Sequence, residues 1–159
     1  MFQNKVVLLV GATGGLGSAA ALAFAQQGAK LILAGRDMEK LQRLSRQFSA
    51  PAIQVDISDP DSISDLLTKV QVDFPKVDLV VNLTGADVRK SLEAHSLDEI
   101  QRLISVNLAG DLSYKIIFAK DGSSTRWSNF ACRRVCRRAI GFPVLQCRCC
   151  HARWHLCFH

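Results

Sequence analysis

Along the first hundred positions, apolar residues follow two alternating rhythms. Four to six residues long, the runs Lys5-Val-Val-Leu-Leu-Val10, Lys30-Leu-Ile-Leu-Ala34, Ala52-Ile-Gln-Val55 and Val77-Asp-Leu-Val-Val81 suit strands, the most apolar of them covered on both faces. Between them, apolar residues recur every three or four positions. Ser18-Ala-Ala-Ala-Leu-Ala-Phe-Ala-Gln-Gln27 is rich in strong helix formers and closes at Gly28, a C-terminal cap. Met38 to Phe48 carries Leu41, Leu44 and Phe48 on one face. Asp59-Pro60 opens a helix striped by Ile63, Leu66, Leu67 and Val70. Ser96-Leu-Asp-Glu99 is a capping box for a fourth helix through Ile100, Leu103, Ile104 and Asn107, extended toward Phe118. Strands alternating with helices predict an α/β chain of parallel βαβ units.

Composition sharpens this picture in one respect. The 159 residues are 48% hydrophobic and 21% charged, which excludes collagen-like and disordered chains. No apolar run approaches the ~20 residues of a membrane span. Four residues ahead of the first strand leave no room for a secretory signal, so a cytoplasmic protein without a membrane partner is expected. The formal charge of +6 hides a break. Residues 1–112 hold 11 Lys and Arg against 13 Asp and Glu, whereas residues 113–159 hold 9 against 1. All six cysteines and both tryptophans lie in that second part. The expected organisation is a folded unit over 1–119 and a basic, Cys- and Arg-rich tail over 120–159.

The chemistry begins where the first strand runs into Gly11-Ala-Thr13-Gly14-Gly15-Leu16-Gly17 and then a helix. Glycines permit a tight turn and a close approach of backbone to a pyrophosphate, and the helix N-terminus offers unpaired N–H groups and a favourable dipole. A turn of this kind can also serve packing alone.

With Asp56-Ile57 after the third strand, Asn82-Leu-Thr-Gly85 after the fourth and Val106-Asn107-Leu108 in the last helix, residues 1 to about 112 resemble the short-chain dehydrogenase/reductase family. The resemblance implies a Rossmann-like doubly wound parallel sheet, incomplete because only the nucleotide-binding half is encoded. It implies hydride transfer between a nicotinamide dinucleotide and an unknown small carbonyl or alcohol, in chains that are commonly homo-oligomers. Dinucleotide contacts then fall to Gly11, Thr13, Gly14, Gly15, Leu16, Gly17, Arg36, Asp56, Ile57, Asn82 and Gly85, with Asp56 meeting the adenine amino group. Asn107 matches the family's active-site asparagine, which holds a water of the proton relay. There are departures: Val10 replaces a usual Thr, Gly14 a usual polar or basic residue, and Asn82-Leu-Thr-Gly85 matches the Asn-Asn-Ala-Gly motif only at its ends. Each residue has a plainer role open to it as well. Asp56 can cap a turn before Ser58, Asn82 can bond its neighbours' backbone, and Asn107 can be a polar residue in a helix.

The end of the second strand bears on the choice of dinucleotide. An NAD site needs a carboxylate there for the ribose 2′-hydroxyl. Gly35 stands at that position and Arg36 follows, so the repelling carboxylate is gone and a guanidinium is available to a 2′-phosphate. NADP is expected, with NAD as the alternative, and Asp37 could offset the preference by pairing with Arg36.

The resemblance also implies a catalytic Ser and a Tyr-x-x-x-Lys pair, and these are missing. The only tyrosine, Tyr114, has Phe118 four residues on, and Ser123, Ser124 and Ser128 match no motif. Impaired catalysis is expected; the alternative is a non-catalytic dinucleotide-binding module with a basic or metal-binding tail. The tail's Arg, Cys and Trp excess is what a GC-rich gene yields in a displaced reading frame. Cys147, Cys149, Cys150, His151, His155, Cys157 and His159 could ligate zinc, but their spacing is not that of a finger, so no metal site is assigned. Nor does any module support a nucleic-acid partner. The expectation is a disordered or frame-displaced tail on a truncated or frame-disrupted enzyme.

Overall fold

A parallel sheet in the order β3-β2-β1-β4-β5 forms the middle of the molecule, with β1 (Val6–Val10) at its centre. The computed structural model describes residues 2–74 and 76–110, together with the backbone of residues 126–127. β2 (Lys30–Gly35) and β4 (Leu79–Asn82) flank β1 in register, with Val10 level with both Ala34 and Asn82. β3 (Ala52–Gln54) adds to the far side of β2. The strand order reverses direction at β1, which is the doubly wound parallel arrangement.

Alternation along β1 sends its side chains into two separate cores, as the two-residue period of a strand requires. Leu8 and Val10 pack with Ile32, Ala34, Val80 and the apolar stripe of α3 (Pro60–Asp73), namely Ile63, Leu66, Leu67 and Val70. Val7 and Leu9 pack with Leu31, Leu33, Val81, Leu41 of α2 (Met38–Phe48), and Ala20, Ala21 and Phe24 of α1 (Gly15–Gln26). Both faces of the sheet are covered, which explains why its strands read as continuous apolar runs.

Element boundaries moved by one to three residues. α1 starts at Gly15 rather than Ser18, because the glycine turn winds straight into helix and the Ser18 amide already donates to the Gly14 carbonyl at 2.9 Å. β4 starts at Leu79 rather than Val77, since Asp78 is turned to accept from the Val6 amide at 3.0 Å and to pair with Lys5. Asp37 and Asp59 cap α2 and α3, accepting from the Lys40 and Asp61 amides at 3.0 and 3.1 Å.

β4 does not end the sheet: a two-residue parallel strand, β5 (Arg126–Trp127), pairs with Leu79 and Val80. An unpaired row of N–H and C=O groups on β4 is what such a strand satisfies. The last helix is also not one regular rod. α4 (Leu97–Ile104) opens with the Ser96–Glu99 capping box but buries none of its residues, and it passes into a π-helical turn over Ser105–Ala109. The continuation to Phe118, Tyr114, the serines at 123, 124 and 128 and all the cysteines lie outside the described residues.

Candidate functional site

The sheet brings three turns to one level, because β1, β2 and β4 end in register. Gly11 leaves β1 with φ +82°, and a Cβ there would stand 2.9 Å from the backbone of Leu83 and Thr84. Glycine is needed at this position both for the left-handed conformation and for the approach of the β4 turn. The amides of Gly11 and Ala12 both donate to the Ala34 carbonyl, at 2.9 and 3.1 Å, which ties this turn to β2 as well. Gly17 fills the gap behind: a Cβ on it would lie 2.1 Å from the Gly11 carbonyl oxygen and 2.7 Å from the Ala12 backbone.

Gly15 is the opposite case. Nothing lies within 4 Å of where its Cβ would be, and Gly14, Gly15 and Leu16 are exposed. α1 begins here with no side-chain cap and no acidic residue in its first turn. Its first amides therefore point at an open face with their dipole uncompensated, the arrangement that takes an anion.

In front of this terminus is a cavity of about 480 Å³. Gly11, Thr13 and Gly14 line it from the first turn, Gly35, Arg36, Asp37 and Lys40 from the second. Val55, Asp56 and Ile57 form one lip; Leu83, Thr84 and Gly85 form the other, with Val106 between. Of the eleven residues expected to contact a dinucleotide, seven line this cavity. Gly15 and Leu16 lie on the open face beside it, Gly17 is buried behind it, and Asn82 is set back at the end of β4.

Several of the polar side chains here have local work. Asp56 Oδ1 accepts from the Ser58 amide at 2.9 Å and from the Ser58 hydroxyl at 2.6 Å. These bonds hold its carboxyl below the ordinary range, against a smaller desolvation effect, with Arg36 and Arg102 adding positive charge nearby. As a carboxylate it only accepts, so its remaining lone pairs suit an N–H donor entering the cavity. Asn82 Oδ1 accepts from the Thr84 amide and hydroxyl at 3.1 and 2.7 Å, which shapes the second lip. Asn107 reaches across to that lip: its Oδ1 accepts from the Ala86 amide at 3.0 Å and its Nδ2 donates to the Ala86 carbonyl at 2.9 Å. The plainer roles open to these three residues in the sequence are thus filled, and for Asp56 the cavity is added.

Asp37 is engaged with Lys40 rather than Arg36. It caps the Lys40 amide and meets the Lys40 ammonium at 3.0 Å, and the amide bond first among these keeps its carboxyl low. Arg36 is exposed at the cavity, and its carbonyl is propped by Gln54 Nε2 at 3.1 Å. Lining residues that sequence reasoning missed are Lys40, Val55, Leu83, Thr84 and Val106. Register alone could have placed Leu83, one residue past the strand end opposite Gly11, whereas Val106 depends on the π turn. Among the described residues no three His, Cys, Asp or Glu side chains gather as a metal site, and no helix is long and apolar enough to cross a membrane.

Comparison with known proteins agrees with this geometry. Residues 5–120 match the family model for short chain dehydrogenase. An uncharacterized oxidoreductase of Staphylococcus aureus is 33% identical over 115 residues, 70% of this chain and 50% of that protein. A short-chain type dehydrogenase/reductase from Mycobacterium marinum superposes with a TM-score of 0.70 at 26% identity, over 75% of this chain and 50% of the other. A 3-ketoacyl-(acyl-carrier-protein) reductase from Brucella melitensis, complexed with NADH, superposes with a TM-score of 0.68 at 28% identity, over 73% and 49%. The chain spans about half the length of the curated relatives it matches.

Proposed function

Since the chain belongs to the short-chain dehydrogenase family, we propose that residues 1–119 are the dinucleotide-binding part of an NADP(H)-dependent oxidoreductase acting on a small carbonyl or alcohol. The observation that carries this reading is the uncapped N-terminus of α1 beside a cavity whose β2 corner holds Gly35 and Arg36 in place of a carboxylate. A bound nicotinamide dinucleotide would supply the hydride. The chain's own residues would do the rest of the binding. The amides of Gly15, Leu16 and Gly17 would meet the pyrophosphate, and Gly11 and Gly14 would let it approach. Thr13 and Arg36 would flank the adenosine ribose, Arg36 pairing with its 2′-phosphate. Asp56 and Ile57 would hold the adenine, and Asn82 and Gly85 would shape the nicotinamide side. Asn107 would keep that side in place through Ala86.

Catalysis by this 159-residue chain is a separate matter. Its one tyrosine lacks a lysine four residues on, so we read the chain as catalytically impaired, with residues 120–159 as a basic, Cys- and Arg-rich tail. A cytoplasmic location belongs to the same proposal. The second reading, a non-catalytic dinucleotide-binding module, is favoured by that same missing pair.

Titration with NADPH and NADH tests the cofactor assignment. A Cβ on Gly35 would meet Thr13 Oγ1 at 3.4 Å and Leu41 at 3.8 Å, ordinary contacts, so Gly35→Asp should fold normally. The unmodified chain should prefer NADPH and Gly35→Asp should prefer NADH. Equal affinities in the unmodified chain would refute the assignment.

A further inference from the structure

The π turn at the end of α4 touches both lips of the cavity. The Gly110 amide donates back to the Ser105 carbonyl, five residues earlier, and this wide turn sends Val106 inward, where it is buried and lines the cavity. Asn107, next along, brackets Ala86 behind one lip. Gly110 sits against the other: a Cβ there would be 2.4 Å from the Ile57 carbonyl oxygen and 3.1 Å from its carbon. Gly110 has φ −61° and ψ −43°, right-handed helical values open to any residue. The glycine is therefore not required for backbone freedom. It is required for contact, and the atoms it meets are backbone that cannot rotate away.

Ile57 follows Asp56, whose carboxylate is fixed by the turn to Ser58. A push on the Ile57 carbonyl is thus passed to the Asp56 lip as a unit. The neighbouring Asn107 bracket acts on Ala86, at the Gly85 lip. Residues 106–110 carry one fixing point for each side of the opening, Asn107 and Gly110, three residues apart.

We propose that Gly110 is a positioning residue for the adenine side of the cleft, and that residues 106–110 form a brace setting the gap between the Asp56–Ile57 and Gly85–Ala86 lips. The inference rests on the dinucleotide reading. It assigns the two ends of the brace to different halves of the ligand, which a merely structural role would not do.

The test compares NADPH with adenosine 2′,5′-bisphosphate, which carries only the adenine half, on the full chain. Gly110→Ala should weaken the bisphosphate roughly tenfold or more, the scale of losing one hydrogen bond to a charged group. Asn107→Ala should weaken NADPH while leaving the bisphosphate within about twofold of the unmodified chain. Parallel losses of both ligands in both variants would overturn the brace, as would a Gly110→Ala chain that binds the bisphosphate normally. Should Gly110→Ala not fold, hydrogen exchange on the unmodified chain decides. The bisphosphate should slow exchange over residues 105–110 as well as 56–58, and protection confined to 56–58 would overturn the proposal. An unmodified chain that binds neither ligand refutes the dinucleotide reading itself.

Discussion

Two glycines two residues apart should respond in opposite ways to the same methyl group. At Gly17 the added Cβ would stand 2.1 Å from the Gly11 carbonyl oxygen, more than an ångström inside ordinary contact, and 2.7 Å from the Ala12 backbone. None of these atoms belongs to a side chain, so relief requires moving α1 off the β1 turn. Overpacking of this kind costs about 1–3 kcal/mol. At roughly 4–8 °C per kcal/mol for a domain of about 100 residues, Gly17→Ala should melt at least about 4 °C lower, and up to about 24 °C lower. At Gly15 the added Cβ meets nothing within 4 Å, and alanine is the better helix former by about 0.8–1 kcal/mol in a helix interior, with less expected at a first turn. Gly15→Ala should therefore melt at or above the unmodified temperature. Its methyl nevertheless projects into the open face proposed for the pyrophosphate, so NADPH affinity should fall about tenfold or more, a difference of about 1.4 kcal/mol. Thermal unfolding followed by circular dichroism, with NADPH titration on the same samples, separates the two effects. A Gly15→Ala chain that binds NADPH normally would refute the placement of the anion at the α1 terminus. An unchanged melting temperature for Gly17→Ala would refute the packing argument.

Other outcomes follow from the ion pair at α4 and from the sequence. Lys90 donates to Glu99, and with the Ser96 amide it lowers that carboxyl from its ordinary 4.5 to about 2. A carboxyl depressed on folding stabilises fully above its unfolded pKa and loses that contribution as pH falls from about 4.5 to about 2. Lys90→Met should raise the Glu99 pKa, measured by carboxyl-carbon NMR titration, though the Ser96 amide keeps it below an exposed glutamate; an unmoved titration would count against the pair. The purified 159-residue chain should oxidise NADPH with common ketones and aldehydes at the buffer rate, since general acid catalysis worth about 10²–10⁴-fold has no paired donor. A rate above background that Tyr114→Phe abolishes would identify that phenol as the donor.

Much of the scaffold was legible because burial on both faces leaves a coarse mark. The runs at 6–10 and 30–34 read as strands because no solvent face breaks them, and the α3 stripe fixed its helix down to the capping Asp59. Ends were less legible, since a boundary is settled by single hydrogen bonds, such as Asp78 turning to Val6. The glycine turn was readable as a turn, but not which glycine packs and which stays open; that depends on a neighbouring strand pair. The π turn left no periodic signal, because Gly110 and Asn107 take their places from Ile57 and Ala86, over fifty and twenty residues away in the chain. Asp56, Asn82 and Asn107 were singled out by their match to the family's motifs; Ser58 and Thr84, two residues on, were within reach of local reasoning, whereas the Asn107 bond to Ala86 came only from tertiary contact.

The in-register pairing of β1 with both neighbours has a kinetic consequence. Val6 pairs with Lys30 and Val7 with Leu79, differences of 24 and 72 in residue number. Loop closure grows as the logarithm of length, so bringing β4 home costs about 1 kcal/mol more than bringing β2. Locally connected β1, α1 and β2 can assemble first, and β4 docks onto the exposed flank of β1 late in the order set by chain entropy. Leu83 and Thr84 arrive with it, and only then does Gly11 acquire the neighbours that close the cleft. The ligand cavity is thus a product of the late docking step. A ligand that recognises both lips would act on that step, slowing the escape of β4 while leaving the earlier βαβ assembly of β1, α1 and β2 untouched.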